Sequence, residues 1–177
     1  APDEWFISEL SDCAYIVESS DDATYMGFRL HPGAIIKEDI LLKAVRLSPI
    51  IDNETIYNYL NDNVQYDDNI TEALSILANT DSIASASKHL GVSQRQLERF
   101  VMRQTKRAPM YWKRLARIRK TAKILISSES TLAEIATLSY SDQAHMSRDF
   151  QYWFNTSPSI FRINVAYNKS IQHLGYD

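Results

Sequence analysis

The stretch "LGVSQRQLERF", residues 90–100, joins two apolar-periodic segments through a glycine and a serine. Gly91 supplies a backbone position open to the left-handed region, which most residues resist. Ser93-x-x-Gln96 has the pattern of a capping box: the serine oxygen accepts from the helix N-terminus and the Gln96 side chain reaches back. "SIASASKHL" before it and "QRQLERFVMRQT" after it both have helical spacing. A short helix, a tight turn and a longer helix make a helix-turn-helix. At about 100° per residue, Leu97, Phe100, Val101 and Gln104 share one face of the longer helix. Arg95, Arg99 and Met102 lie opposite, with Glu98 beside them.

The same unit recurs 49 residues later. Ile83, Ala86 and Ser87 fall on Leu132, Ile135 and Ala136; Ser93 falls on Asp142, Leu97 on Met146, Arg99 on Arg148 and Val101 on Phe150. Small residues (Ala86, Ser87, Ala136) stand where the two helices of each copy must approach closely. Thr131-x-x-Glu134 is a second capping box and opens the second copy. In that copy Met146, Phe150 and Trp153 point inward, while Ala144, His145, Arg148 and Gln151 point outward. The predicted motifs span about 83–105 and 132–154. Between them Pro109 opens a long helix over 110–127, "MYWKRLARIRKTAKILIS", which would be about 27 Å long.

Helical spacing also covers "KEDILLKAVRL", ending before Pro49, then "NETIYNYLNDN" and "NITEALSILANT". In the last of these Ile70, Leu74 and Leu77 share a face, and Asp67-Asp68-Asn69 suits its N-terminus. Ser157-Pro158 starts a final helix, because a proline's missing N–H costs nothing at the first helical position. Residues 5–31 read as β, with "CAYIVES" and "TYMGFRL" as strands and "HPG" as the loop that ends them. Two or three strands need something to pack against. The fold class is therefore mainly α. Residues 1–35 are expected to be a β-hairpin remnant, 36–68 a helical linker and 69–177 a double helix-turn-helix domain.

The net charge of −3 conceals an asymmetry. Residues 1–80 carry 4 Lys/Arg and 15 Asp/Glu, a net of −11; residues 81–177 carry 15 and 7, a net of +8. A polyanion-binding module joined to a different module gives such a split, and so do two halves that attract one another. With 45% hydrophobic and 23% charged residues, wholesale disorder is excluded. Cys13 is the sole cysteine, so no internal disulfide forms, and a reducing cytoplasmic setting fits. Cys13 itself reads as a small buried hydrophobe. No apolar run approaches the length that spans a bilayer, and no signal peptide is present. The chain opens on Ala1, as a fragment or a processed protein would.

A helix fits the major groove of DNA, where arginine pairs bidentately with guanine and glutamine with adenine. Lys113, Arg114, Arg117, Arg119, Lys120 and Lys123 on the long helix, with no acid among them, are expected to supply phosphate contacts, Lys113, Arg114, Arg117 and Lys120 first. Such a strut could present two recognition helices to successive major grooves, about 34 Å apart.

From "LGVSQRQLERF", "RLARIRKTAKIL", "LAEIA…YSDQAHMSRDF" and "SPSIFR", in that order and spacing, the chain resembles the DNA-binding domain of AraC-family bacterial transcription regulators over roughly 70–165. The resemblance implies a seven-helix domain with two helix-turn-helix motifs joined by a long helix. It implies that Gln94, Arg95, Glu98 and Arg99 read bases or backbone in the first motif, and Gln143, Ala144, His145 and Arg148 in the second. Double-stranded DNA is the implied partner; RNA polymerase, a second copy of the chain and an effector of unknown chemistry are further candidates, and no cofactor or membrane partner is expected. The chain departs from the family pattern in its second turn, "LSYSD", which lacks the usual glycine and places Tyr140 opposite Gly91. Lys106 and Asn155 stand where glycines are usual, and asparagine tolerates the left-handed conformation. Ala144 can touch only a thymine methyl or pack. Residues 15–34 are similar to the end of a β-barrel sensor domain that precedes this module in some members.

An enzyme is the first rival. His31, His89, His145 and His173 are scattered without metal-ligand spacing, and no phosphate loop or nucleophile elbow appears, so neither a catalytic nor a metal site is expected. The second rival is a helical protein-interaction or autoinhibited module that has lost specific DNA binding, its acidic half covering the basic face.

Overall fold

In a computed structural model of the chain, residues 5–8, 11, 27–48, 52–172 and 176 are described. The fold is mainly α. Helix α1 (Glu38–Leu47) and α2 (Asn53–Asn63) form a hairpin around Leu41, Val45 and Ile56. Strand β1 (Ile35–Ile36) runs antiparallel to β2 (Val64–Gln65), with Ile36 opposite Val64, and so closes the base of that hairpin. Then follow α3 (Asp68–Asn79), α4 (Ile83–His89), α5 (Gln94–Thr105), α6 (Pro109–Ser127), α7 (Leu132–Thr137), α8 (Gln143–Phe154), α9 (Pro158–Ile163) and α10 (Val165–Gln172).

The strand expectation is corrected where it can be compared. Residues 5–8 and 27–30 carry no strand, and the described sheet lies at 35–36 and 64–65 instead. Strand propensity needs a ladder partner to act on. The remaining strand expectations, and Cys13, lie outside the described residues. The turn at 32–33 is present, and Gly33 adopts φ +84° there. A Cβ on Gly33 would come within 2.7 Å of Ile70, so the loop seats on the start of α3 only as glycine.

Two cores lie along α6. Ile70, Leu74 and Leu77 of α3, Ala86 of α4, Leu97 and Val101 of α5 and Trp112 of α6 make the first. Ile118, Ala122 and Leu125 of α6, Ile135 and Ala136 of α7, Met146, Phe150 and Trp153 of α8 and Phe161 of α9 dominate the second. The long helix is thus a shared strut, buried at Trp112, Ala116, Ile118, Thr121, Ala122 and Leu125. A helix flanked by two cores must bury more than one stripe, and that decides the fate of its cations.

The 49-residue repeat reaches further than the two motifs. Lys106 (φ 58°) and Asn155 (φ 51°) are left-handed caps at the same register, closing α5 and α8. Pro109 and Pro158 then open α6 and α9, and Trp112 and Phe161 are buried one turn on. A left-handed L-residue costs about 1–2 kcal/mol, less for asparagine, while glycine returns about 0.5–1 kcal/mol of that as chain entropy. Lys106→Gly is therefore expected to raise the unfolding free energy by up to about 1 kcal/mol. Asn155→Gly should change it by less than about half as much. Denaturant midpoints of the two variants check this ranking.

Candidate nucleic-acid interface

The first motif forms as its local chemistry dictates. The Ser93 backbone N–H donates to Gln96 Oε1 at 2.8 Å, and the Gln96 N–H donates to Ser93 Oγ at 3.3 Å. Gly91 takes φ +67° in the turn. Leu97 and Val101 are buried, while Gln94, Arg95 and Arg99 stand in solvent and Glu98 is half-buried. Gln94 Nε2 donates to Glu98 Oε1 at 2.9 Å. Neither Arg95 nor Arg99 has a hydrogen-bond or ion-pair partner among the described residues. At its far end α5 is anchored by Gln104, whose Nε2 donates to Asp67 Oδ2 at 2.9 Å, across to the N-cap of α3.

The second motif is built on the same plan with different parts. Thr131 and Glu134 form the reciprocal cap of α7. The His145 backbone N–H, donating to Asp142 Oδ1 at 2.6 Å, caps α8 and holds the Asp142 carboxyl below its ordinary range. The turn uses no left-handed residue. The Tyr140 N–H donates to Ala136 O at 2.8 Å, and the ring, where the first motif has Gly91, fills the core. Burial pushes its hydroxyl up to about 12, so it stays neutral. Gln143, Ala144 and Arg148 are exposed; Arg148 stands close enough to lower the Asp142 carboxyl further. His145 is half-buried, its Nδ1 sharing a hydrogen bond with Ser141 Oγ at 3.2 Å and its ring edge-on to Tyr140.

Each of the four expected phosphate contacts, Lys113, Arg114, Arg117 and Lys120, also has a partner inside the molecule. Lys113 Nζ donates to Leu77 O at 3.2 Å and to Thr80 O. Lys120 Nζ donates to Ala78 O at 2.7 Å and Asn79 Oδ1 at 2.9 Å. Both therefore cap the C-terminus of α3, where unpaired carbonyls and the helix dipole favour a cation. Burial holds the Lys113 pKa below its usual value. The repeat appears here too: Arg162, at the register of Lys113, donates to Leu125 O at 3.0 Å and Ser130 O at 2.7 Å beyond the end of α6.

Arg114 and Arg117 converge on Asp149, at 2.9 and 2.6 Å. Asp149 lies on the inward face of α8 and is 3% exposed. The Arg117 guanidinium also lies 4.5 Å from the Tyr140 ring centroid, and Arg114 lies over the Tyr152 ring at 5.2 Å. Asp149 was not among the expected site residues. Its signal was available: an acid beside Phe150, three residues after Met146, sits on the buried stripe, and a buried charge needs a cation. Lys120→Ala is accordingly expected to lower stability by about 1–2 kcal/mol. Its plot of log affinity for duplex DNA against log salt should keep its slope; a drop near 0.9 would restore Lys120 as a phosphate contact.

Among the described residues, no group of three His, Cys, Asp or Glu side chains could hold a metal, and no helix is long and apolar enough to cross a membrane. A family described as a helix-turn-helix domain matches residues 86–164. The fold is similar to the crystal structure of a transcriptional regulator, one of the AraC-type DNA-binding domain-containing proteins, from Chromobacterium violaceum. That likeness has a TM-score of 0.50 and 22% identity, and covers 60% of this chain and 94% of the other. No curated protein matches the chain.

Proposed function

We propose, from the premise that residues 86–164 are a helix-turn-helix domain of the AraC type, that the protein regulates transcription by sequence-specific binding to duplex DNA. In this reading α5 and α8 enter successive major grooves. Gln94, Arg95, Glu98 and Arg99 face bases or backbone in one, and Gln143, Ala144, His145 and Arg148 in the other. The observation that carries the reading is the shared register of two capped helices. Each buries its apolar stripe and leaves guanidinium groups in solvent: Arg95 and Arg99 on α5, Arg148 on α8. A strut of 19 residues, about 28 Å long, separates them on a scale close to one turn of DNA. RNA polymerase and a second copy of the chain are the partners such a regulator would meet, in the cytoplasm.

The autoinhibited alternative needs the acidic half to cover the readers, and the exposure of Arg95, Arg99 and Arg148 counts against it. Enrichment of genomic fragments on the purified chain, followed by titration of an enriched duplex and its scrambled counterpart, tests the proposal. Arg99→Ala should weaken binding to the enriched duplex by about 1–3 kcal/mol and leave the scrambled duplex nearly unchanged. Equal affinity of the unsubstituted chain for both duplexes at physiological salt would refute it.

A further inference from the structure

The two reading helices have the same frame but unequal chemistry. At matched register, α5 presents Gln94, Arg95, Glu98 and Arg99, and α8 presents Gln143, Ala144, Ser147 and Arg148. Arg95 and Arg99 are one helical turn apart on the solvent side of α5, and no acid neutralises them. Glu98, on the same helix, is engaged by the Gln94 amide at 2.9 Å. That bond uses one of the two Gln94 N–H donors and leaves the second Glu98 oxygen as an acceptor. Free guanidinium groups match the O6 and N7 of guanine; a carboxylate acceptor matches the N4 amino group of the paired cytosine. All three charged groups on this face therefore suit G·C pairs.

On α8 the first arginine is replaced by Ala144 and the glutamate by Ser147. Ala144 is exposed and can contribute only an apolar contact, which the thymine methyl accepts. One arginine, Arg148, remains.

Resting on the DNA-reading function proposed above, we infer that the half-site under α5 carries two guanines one to two base pairs apart, read by Arg95 and Arg99. The half-site under α8 carries one guanine for Arg148 and a thymine whose methyl meets Ala144. The spacing follows from helix geometry: Arg95 and Arg99, four residues apart, are separated by about 6 Å along α5, the rise of one to two base pairs. Unequal half-sites also fix the direction in which the chain lies on DNA.

Selection of bound duplexes from a randomised library by the full 177-residue chain provides the test. The expected consensus has a closely spaced guanine pair in one half-site and a guanine with a thymine in the other, roughly one turn away. Arg95→Ala and Arg99→Ala should each relax one guanine position and leave the other. Placing 7-deazaguanine, which lacks N7, at either position should weaken binding by roughly five- to a hundredfold. Uracil in place of the thymine should cost roughly fourfold. A strong consensus without the guanine pair, or with equivalent half-sites, would overturn the inference while leaving DNA reading intact. A library from which nothing is enriched would overturn both.

Discussion

The Arg114→Ala/Arg117→Ala double variant loses about 3–5 kcal/mol of stability, more than Asp149→Ala loses. The asymmetry comes from what each change leaves behind. Removing both guanidinium groups strands a carboxylate that is 3% exposed, and a buried charge without a partner bears the full desolvation cost. Removing Asp149 leaves two arginines whose side chains are 40% and 29% exposed, and water can take over their hydrogen bonds. Asp149→Ala is therefore expected to cost about 2–3 kcal/mol, the scale of lost hydrogen bonds to a charged group. Urea unfolding of the three proteins decides the order. If Asp149→Ala were the more damaging change, the stranded charge would not be what matters. The double variant should also leave the salt dependence of DNA affinity unaltered. Two lost phosphate contacts would instead reduce the slope by about 1.8.

Trp112→Ala and Phe161→Ala should each cost about 3–5 kcal/mol, the usual range for a buried aromatic cut back to alanine. The two residues occupy the same place in the repeat, one turn into the helix that follows each reader. Trp112 Nε1 donates to Thr105 Oγ1 at 2.9 Å, and its ring lies edge-on to Tyr111 and Tyr176. Phe161 is held by Phe150, Phe154 and Tyr167, the last stacked with centroids 5.1 Å apart. Each aromatic thus fixes the left-handed turn that ends a reading helix. Hydrogen exchange should report faster opening of α3–α5 in the first variant and of α7–α9 in the second. Since α6 contributes to both cores, each variant should still unfold in one transition. Two separate transitions would show that the strut does not couple the halves.

Much of this was legible in the chain. The bounds of α5 and α8, both capping boxes, the left-handed Gly91 and the inward stripes of the two readers follow from residues within about one helical turn of one another. The exposed positions of Arg95, Arg99 and Arg148 follow from the same periodicity. The left-handed cap at Asn155 was legible, because asparagine tolerates that conformation; the one at Lys106 was not. What was not legible is what the strut's cations touch. Their count and spacing on α6 describe an unpaired basic row as well as an engaged one. The two-residue ladder at 35–36 and 64–65 was equally hidden, because short pairings are chosen by the hairpin that brings them together.

By itself the sequence determined the helices, their caps and the repeated frame, because each rests on hydrogen bonds and apolar spacing that a few neighbouring residues complete among themselves. Only the tertiary structure decided that Lys113 and Lys120 close α3 and that Arg114 and Arg117 hold Asp149. Those partners lie 32–42 residues away, and they meet because a helix shared by two cores turns its flanks toward both.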